Sequence, residues 1–237
     1  MSGLLEITNL TAGYGRIDVL HDLTMSIGAH GNVGLFGPNG HGKTTLLRAI
    51  SGLVKARSGS IRFGGAAIAN QTPRSIVGLG LVHSSQGNRL FPDLTIGECL
   101  ALGAYTPRAR AQEEANRERA LKIFPKLSER WNQKVRTLSG GERQMVSIGT
   151  ALMSSPAMLI LDEPTLGLAP KIKEELCRAV LDISAGGIPL VVVEQDVEFL
   201  LELSQHLYLI NHGQVAAEIK PGQTMDHADI MALYFGQ

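Results

Sequence analysis

The stretch Gly37-Pro38-Asn39-Gly40-His41-Gly42-Lys43-Thr44 decides the reading of this chain. It fits the pattern G-x-x-x-x-G-K-[ST] at every fixed position. Immediately before it, Asn32–Phe36 is a short apolar run that stops at Gly37. Immediately after it, Lys43–Ile50 has helical spacing and ends at Ser51-Gly52. Strand, glycine loop and helix together are the context in which this spacing carries chemistry. The glycines let the backbone curl so that its N–H groups face phosphate oxygens. Lys43 supplies a positive charge for the β and γ phosphates, and the Thr44 hydroxyl is placed to ligate Mg²⁺. The helix that follows aims its positive end at the same anion.

Working outward, Met158-Leu159-Ile160-Leu161-Asp162-Glu163 is an apolar strand that ends in two acids. An acid at the carboxyl end of a strand beside a phosphate loop can hold Mg²⁺, which is the role read for Asp162. Glu163 is then the candidate to polarise an attacking water. Leu138-Ser139-Gly140-Gly141-Glu142-Arg143-Gln144 opens a helix, and Ser139 with Glu142 forms an S-x-x-E capping box. Two glycines directly after the cap bare the backbone at a helix start, a second anion site. Two phosphate-facing surfaces for one nucleotide predict a head-to-tail dimer. Each nucleotide would lie between one chain's phosphate loop and the other's Ser139-Gly140-Gly141.

The rest of the chain supports an α/β core. Leu4–Leu10, Val19–Ile27 and Gly80–His83 read as strands, and Gly59–Ile68 as a short hairpin. Thr95–Tyr105 and Ala109–Leu127 read as helices, the second with a mixed-charge solvated face. From Ser139, helices alternate with the strands Ala157–Leu161, Pro189–Val193 and His206–Ile210, which implies parallel pairing. The expected organisation is a core over 1–86 and 138–237 with a helical insert over 87–137. Gln144–Leu161 is uncharged and long enough to raise the question of a membrane span. Ser154-Ser155-Pro156 interrupts it, so helix, turn and strand is the better account.

Composition narrows the function further. Lys+Arg and Asp+Glu both total 22, a formal net charge of zero, which argues against a polyanion partner such as nucleic acid. The 27 glycines in 237 residues exceed the usual roughly 7 % and predict many tight turns. Cys99 and Cys177 lie far apart in apolar contexts and read as reduced, buried thiols. The opening MSGLLEITNL lacks a basic start followed by an apolar run, so no secretory signal is expected.

Taken in this order, the phosphate loop, LSGGERQ and LILDEP closely resemble the ATP-binding subunit of an ABC transporter, over nearly the whole chain. The resemblance implies a P-loop NTPase core of the ABC ATPase type, with an added antiparallel β layer and a helical subdomain contacting the membrane partner. It places Gly37, Pro38, Asn39, Gly40, His41, Gly42, Lys43, Thr44 and Thr45 at the nucleotide. Ser139, Gly140 and Gly141 face it from the second subunit. Tyr14, in Ala12-Gly13-Tyr14-Gly15, matches the aromatic that stacks on adenine. Gln86 matches the glutamine that contacts Mg²⁺ beside Thr44 and Asp162 and senses the membrane partner. ATP and Mg²⁺ are the implied cofactors. A second ATPase subunit, transmembrane permeases and, indirectly, a substrate-binding protein are the implied partners. The implied location is cytoplasmic, on the inner face of the cell membrane.

Several positions depart from the family pattern. Val191-Val192-Val193-Glu194-Gln195-Asp196 carries Gln195 where the family usually has a histidine. Gln can hydrogen-bond a γ-phosphate but cannot become a cation near neutral pH, which argues against a proton carrier and leaves γ-phosphate sensing open as the catalytic role expected of Gln195. Ala169 stands where an aspartate is common. His41 is unusual in the loop and is expected to point outward with no catalytic role. His83-Ser84-Ser85 is unusual too. Val-Glu-Gln, Gly-Leu-Ala-Pro, Leu-Phe-Pro-Asp-Leu-Thr and the tail Tyr234-Phe235-Gly236 together resemble the ATPases of branched-chain amino-acid importers and their urea or amide relatives. The alternative class is a non-transport ABC ATPase in cofactor assembly or a nucleic-acid or ribosome role.

Overall fold

A computed structural model describes residues 3–87, 90–204 and 206–222. The tail motif Tyr234-Phe235-Gly236 lies outside the described residues. The chain opens with strands β1 (Leu5–Tyr14) and β2 (Ile17–Ile27), then β3 (Asn32–Phe36) and helix α1 (Lys43–Ile50). Strands β4 (Ala56–Phe63) and β5 (Ala66–Ala67), helix α2 (Pro73–Gly78) and strand β6 (Leu81–Ser84) follow. Next come α3 (Ile96–Gly103), α4 (Pro107–Arg110), α5 (Glu113–Ile123), α6 (Lys126–Glu129) and α7 (Gly140–Met153). The last part runs β7 (Met158–Asp162), α8 (Pro170–Ala185), β8 (Leu190–Val193), α9 (Val197–Leu203), β9 (His206–Asn211) and β10 (Gln214–Ile219).

The chain forms two compact units, residues 1–76 with 189–237 and residues 77–188. The expected boundary at 86/87 falls inside the second unit. In the first, an antiparallel sheet of order β2-β1-β4-β5 accompanies a second sheet section of order β10-β9-β3-β8. Strand β3 is parallel to β8 on one side and to β9 on the other, with Gly34 opposite Val192 and Leu207. Its run Val33-Gly34-Leu35-Phe36 is buried throughout, as a strand with neighbours on both edges requires. A Cβ on Gly34 would approach Leu207 Cδ2 to 2.4 Å, so the small residue lets the side chains of β9 and α9 close over β3. Tyr208 on β9 donates its hydroxyl toward Ser26 O on β2, at 2.8 Å, and Glu218 Oε1 on β10, at 3.0 Å. Burial first, then the Glu218 charge, pushes that phenol well above its ordinary range.

In the second unit, β6 and β7 pair in parallel, with His83 opposite Ile160 and Ser84 opposite Leu161. Helix α7 packs against β6, and α3 and α5 pack on α7, with Leu100, Ala120, Val146 and Ile148 fully buried. The single helix expected over Ala109–Leu127 is three pieces. Phe124 precedes Pro125 and leaves helical geometry at φ −123° and ψ 73°, as the residue before a proline tends to. The earlier break is tertiary: Gln112 Oε1 accepts the Ser155 hydroxyl at 2.8 Å, and Asn116 Nδ2 donates to Met153 O at 3.4 Å. Gln144–Leu161 does form a helix, a Ser-Ser-Pro turn and a strand. Among the described residues, no helix is long and apolar enough to cross a membrane. Cys99 and Cys177 are both buried, and neither is in a disulfide.

Candidate functional site

The phosphate loop leaves β3 at Gly37, whose φ of 143° lies in the region that favours glycine. A Cβ there would come within 2.1 Å of Ile210 O on β9. Gly42 is the N-cap of α1 at φ 104° and makes no side-chain cap, so nothing of its own covers the first amides of that helix. A bare helix start of this kind attracts an anion. Lys43 is 5 % exposed. Its ammonium donates to Gly37 O at 2.6 Å and Pro38 O at 3.0 Å, which folds the long side chain back along the loop it serves. A phosphate oxygen bound at this loop would meet a charge already held inside it. Thr45 is buried and Thr44 half-buried.

Gln195 follows β8 and reaches this loop: Asn39 Nδ2 donates to Gln195 Oε1 at 3.2 Å. The position read as a γ-phosphate sensor thus touches the phosphate loop itself. Tyr14 ends β1 with its ring 44 % exposed, open to a flat ligand. Its hydroxyl accepts from Arg48 Nη1 at 3.1 Å, and Arg57 braces the adjoining turn through Gly15 O at 2.8 Å. Arg48 sits on α1, so the same helix carries Lys43 and steadies the aromatic.

The second unit holds the remaining candidates. Asp162, 4 % exposed, ends β7. Glu163 follows with φ 48°, a left-handed backbone uncommon for a glutamate. Such strain is found where the surrounding structure fixes a side chain for use. Gln86 Nε2 donates to Glu163 Oε2 at 2.5 Å, so two of the read site residues meet directly. At the start of α7, Ser139 Oγ accepts from the Glu142 N–H, and Glu142 accepts from the Ser139 N–H: the capping box is formed. The Ser139 N–H is the main cause holding the Glu142 carboxyl below its usual range. Burial opposes it, while the Ser139 hydroxyl, Arg130 and Lys126 add to it. A Cβ on Gly141 would meet Ile172 Cγ2 at 2.6 Å, whereas Gly140 has only Leu168 Cδ2 near, at 3.9 Å. Gly141 is therefore small for packing, and Gly140 is the one open to an approaching group.

Sequence reasoning missed some neighbours. His83 Nε2 lies 4.0 Å from Asp162 Oδ2, both side chains buried. His83 is an unusual residue at its position, but the pairing of β6 with β7 that brings it beside Asp162 is not local. The ring of His41 lies against Asn211 and His212 on the β9–β10 turn. No sequence signal links residues so far apart.

Fold and site together define a P-loop ATPase. The family follows from direct comparison: residues 20–166 match the ABC transporter family model, and the chain belongs to that family. It is 33 % identical to the high-affinity branched-chain amino acid transport ATP-binding protein BraG of Pseudomonas aeruginosa, over 98 % of this chain and all of that one. It is 35 % identical to the probable branched-chain amino acid transport ATP-binding protein LivF of Archaeoglobus fulgidus, over 98 % and 99 %. Among solved structures, the ADP conformation of MJ1267, an ATP-binding cassette of an ABC transporter, superposes with a TM-score of 0.82. It is 29 % identical and fully covers both chains. The chain is an ATP-binding, ATP-hydrolysing cassette of this family.

Proposed function

We propose that this chain powers an importer for branched-chain amino acids or related amides. The observation that carries the proposal is similarity along 98 % of the chain to two proteins named for branched-chain amino acid transport. In this reading Tyr14 stacks on adenine, and Gly37–Thr45 with Lys43 bind the phosphates. Glu163 orients and polarises the attacking water, held at the outset by Gln86. Gln195 reports the γ-phosphate to Asn39 in the loop. Phosphoryl transfer needs positioning and charge stabilisation more than covalent chemistry from the protein, and these side chains supply both.

Thr44, Gln86 and Asp162 offer a hydroxyl, an amide oxygen and a buried carboxylate. All are hard oxygen donors of the kind Mg²⁺ takes, and Gln86 keeps its oxygen for that use because its nitrogen serves Glu163. When bound, Mg²⁺ would neutralise charge on the β and γ phosphate oxygens. A second ATPase subunit would present its Ser139-Gly140-Gly141 to this chain's nucleotide, and residues 87–137 would transmit closure to transmembrane permeases at the inner face of the membrane. A binding protein would deliver the solute.

The test is reconstitution in liposomes with the permeases and the partner ATPase. ATP hydrolysis is expected to rise when binding protein loaded with leucine or an amide is added outside. Recovery of the chain with soluble assembly proteins and no permease, and hydrolysis indifferent to loaded binding protein, overturns the proposal.

A further inference from the structure

The phosphate loop rests on the turn between β9 and β10. Gly213 N–H donates to His41 O at 3.0 Å. His41 Nδ1 lies 2.5 Å from Asn211 Oδ1 and 3.2 Å from the His212 backbone nitrogen. The His41 and His212 rings stand 4.4 Å apart, tilted by 36°. With its proton on Nδ1, the His41 ring donates to Asn211 Oδ1. With the proton on Nε2, it accepts the His212 N–H. Either tautomer ties the ring to the same turn.

That turn is a firm support. His212 and Gly213 have φ of 46° and 74°, the left-handed pair of a tight two-residue hairpin. Gly213 presses on β2, where an added Cβ would stand 1.9 Å from Val19 O. The His21 N–H donates to Gly213 O at 3.0 Å. The start of the loop rests on the same segment, through the close approach of Gly37 to Ile210 O. The phosphate pattern leaves position 41 open, so its side chain is available for a task other than touching phosphate.

We propose that His41 is a positioning residue for ATP: through Nδ1 it latches the tip of the phosphate loop to the Asn211–Gly213 turn and so sets nucleotide affinity. The proposal rests on the reading of Gly37–Thr44 as the phosphate site. A loop held in its binding shape beforehand loses less freedom on binding. Holding it affects ground state and transition state alike, so the effect falls on KM more than on kcat.

The experiment is ATP affinity and steady-state hydrolysis of the purified chain, with melting midpoints alongside. His41→Ala is expected to raise Kd and KM for ATP by about three- to tenfold, with kcat changing less than KM. Asn211→Ala is expected to do the same, and the double variant to be no worse than either single one. His41→Asn places an amide atom at the branch position of Nδ1 and is expected to restore affinity. His41→Phe keeps a ring, loses the nitrogen and is expected not to. Unchanged affinity in His41→Ala, or restoration by Phe and not by Asn, overturns the latch. So does a loss of kcat at constant KM with a lowered melting midpoint. Lys43→Ala serves as the control. If it loses ATP while His41→Ala does not, the latch alone fails; if it binds ATP normally, the phosphate-site reading fails and the latch with it.

Discussion

At the residue scale, three side chains are proposed to carry the chemistry, and each makes a contact that gives a test its sense. Lys43 is already turned into the loop through Gly37 O and Pro38 O. Lys43→Ala is expected to abolish useful ATP binding, measured by equilibrium titration; near-native affinity would refute the site. Glu163 sits on a strained backbone with Gln86 on its carboxylate. Glu163→Gln is expected to keep ATP bound while turnover falls about a hundredfold or more, the scale of a lost general base. An unchanged single-turnover rate would remove Glu163 from that role. Gln195 touches Asn39, so Gln195→Ala is expected to lower kcat more than it weakens binding. If the rate holds, Gln195 is only a polar residue ahead of α9.

At the element scale, the start of α7 links a cap to pH. Ser139→Ala removes the side-chain acceptor for the Glu142 N–H and is expected to cost about 1 kcal/mol, read from denaturant midpoints. The Glu142 carboxyl is held below its ordinary value of 4.5 in the folded chain. Its contribution is therefore present in full above that value and is lost as pH falls through the lower folded one. The melting midpoint of the native chain is expected to drop toward that of Glu142→Gln on acidification; a gap between them that stays constant from pH 7 to pH 3 speaks against the linkage. Elements also show where sequence pattern suffices. Asn32–Phe36 and Lys43–Ile50 are found as read, because an apolar run stopped by glycine and a helix stopped by Ser-Gly are local signals. The pieces of Ala109–Leu127 are not, because Gln112 and Asn116 answer to the 153–155 turn. Strand β10 carries little local signal because Gln-Val-Ala-Ala-Glu-Ile has few β-branched residues, and its pairing with β9 supplies what propensity lacks.

At the scale of the whole molecule, the proposed work is association. Glu163→Gln with ATP is expected to run as a dimer in size-exclusion chromatography and light scattering, and the native chain with ADP as a monomer. A Glu163→Gln chain that binds ATP and stays monomeric would count against a nucleotide sandwiched between Ser139-Gly140-Gly141 of one copy and the loop of another. The sequence by itself determined the phosphate loop, the acid pair and the capped glycine helix start. Each is a run of neighbours whose chemistry depends on backbone shape over a few residues. It also carried the family, since those runs occur in one order. Tertiary structure alone decided what stands beside them: His83 near Asp162, Gln86 on Glu163, Arg48 on Tyr14, and His41 on the β9–β10 turn. Those contacts come from strand pairing and helix packing between distant stretches of chain, and no local propensity encodes them.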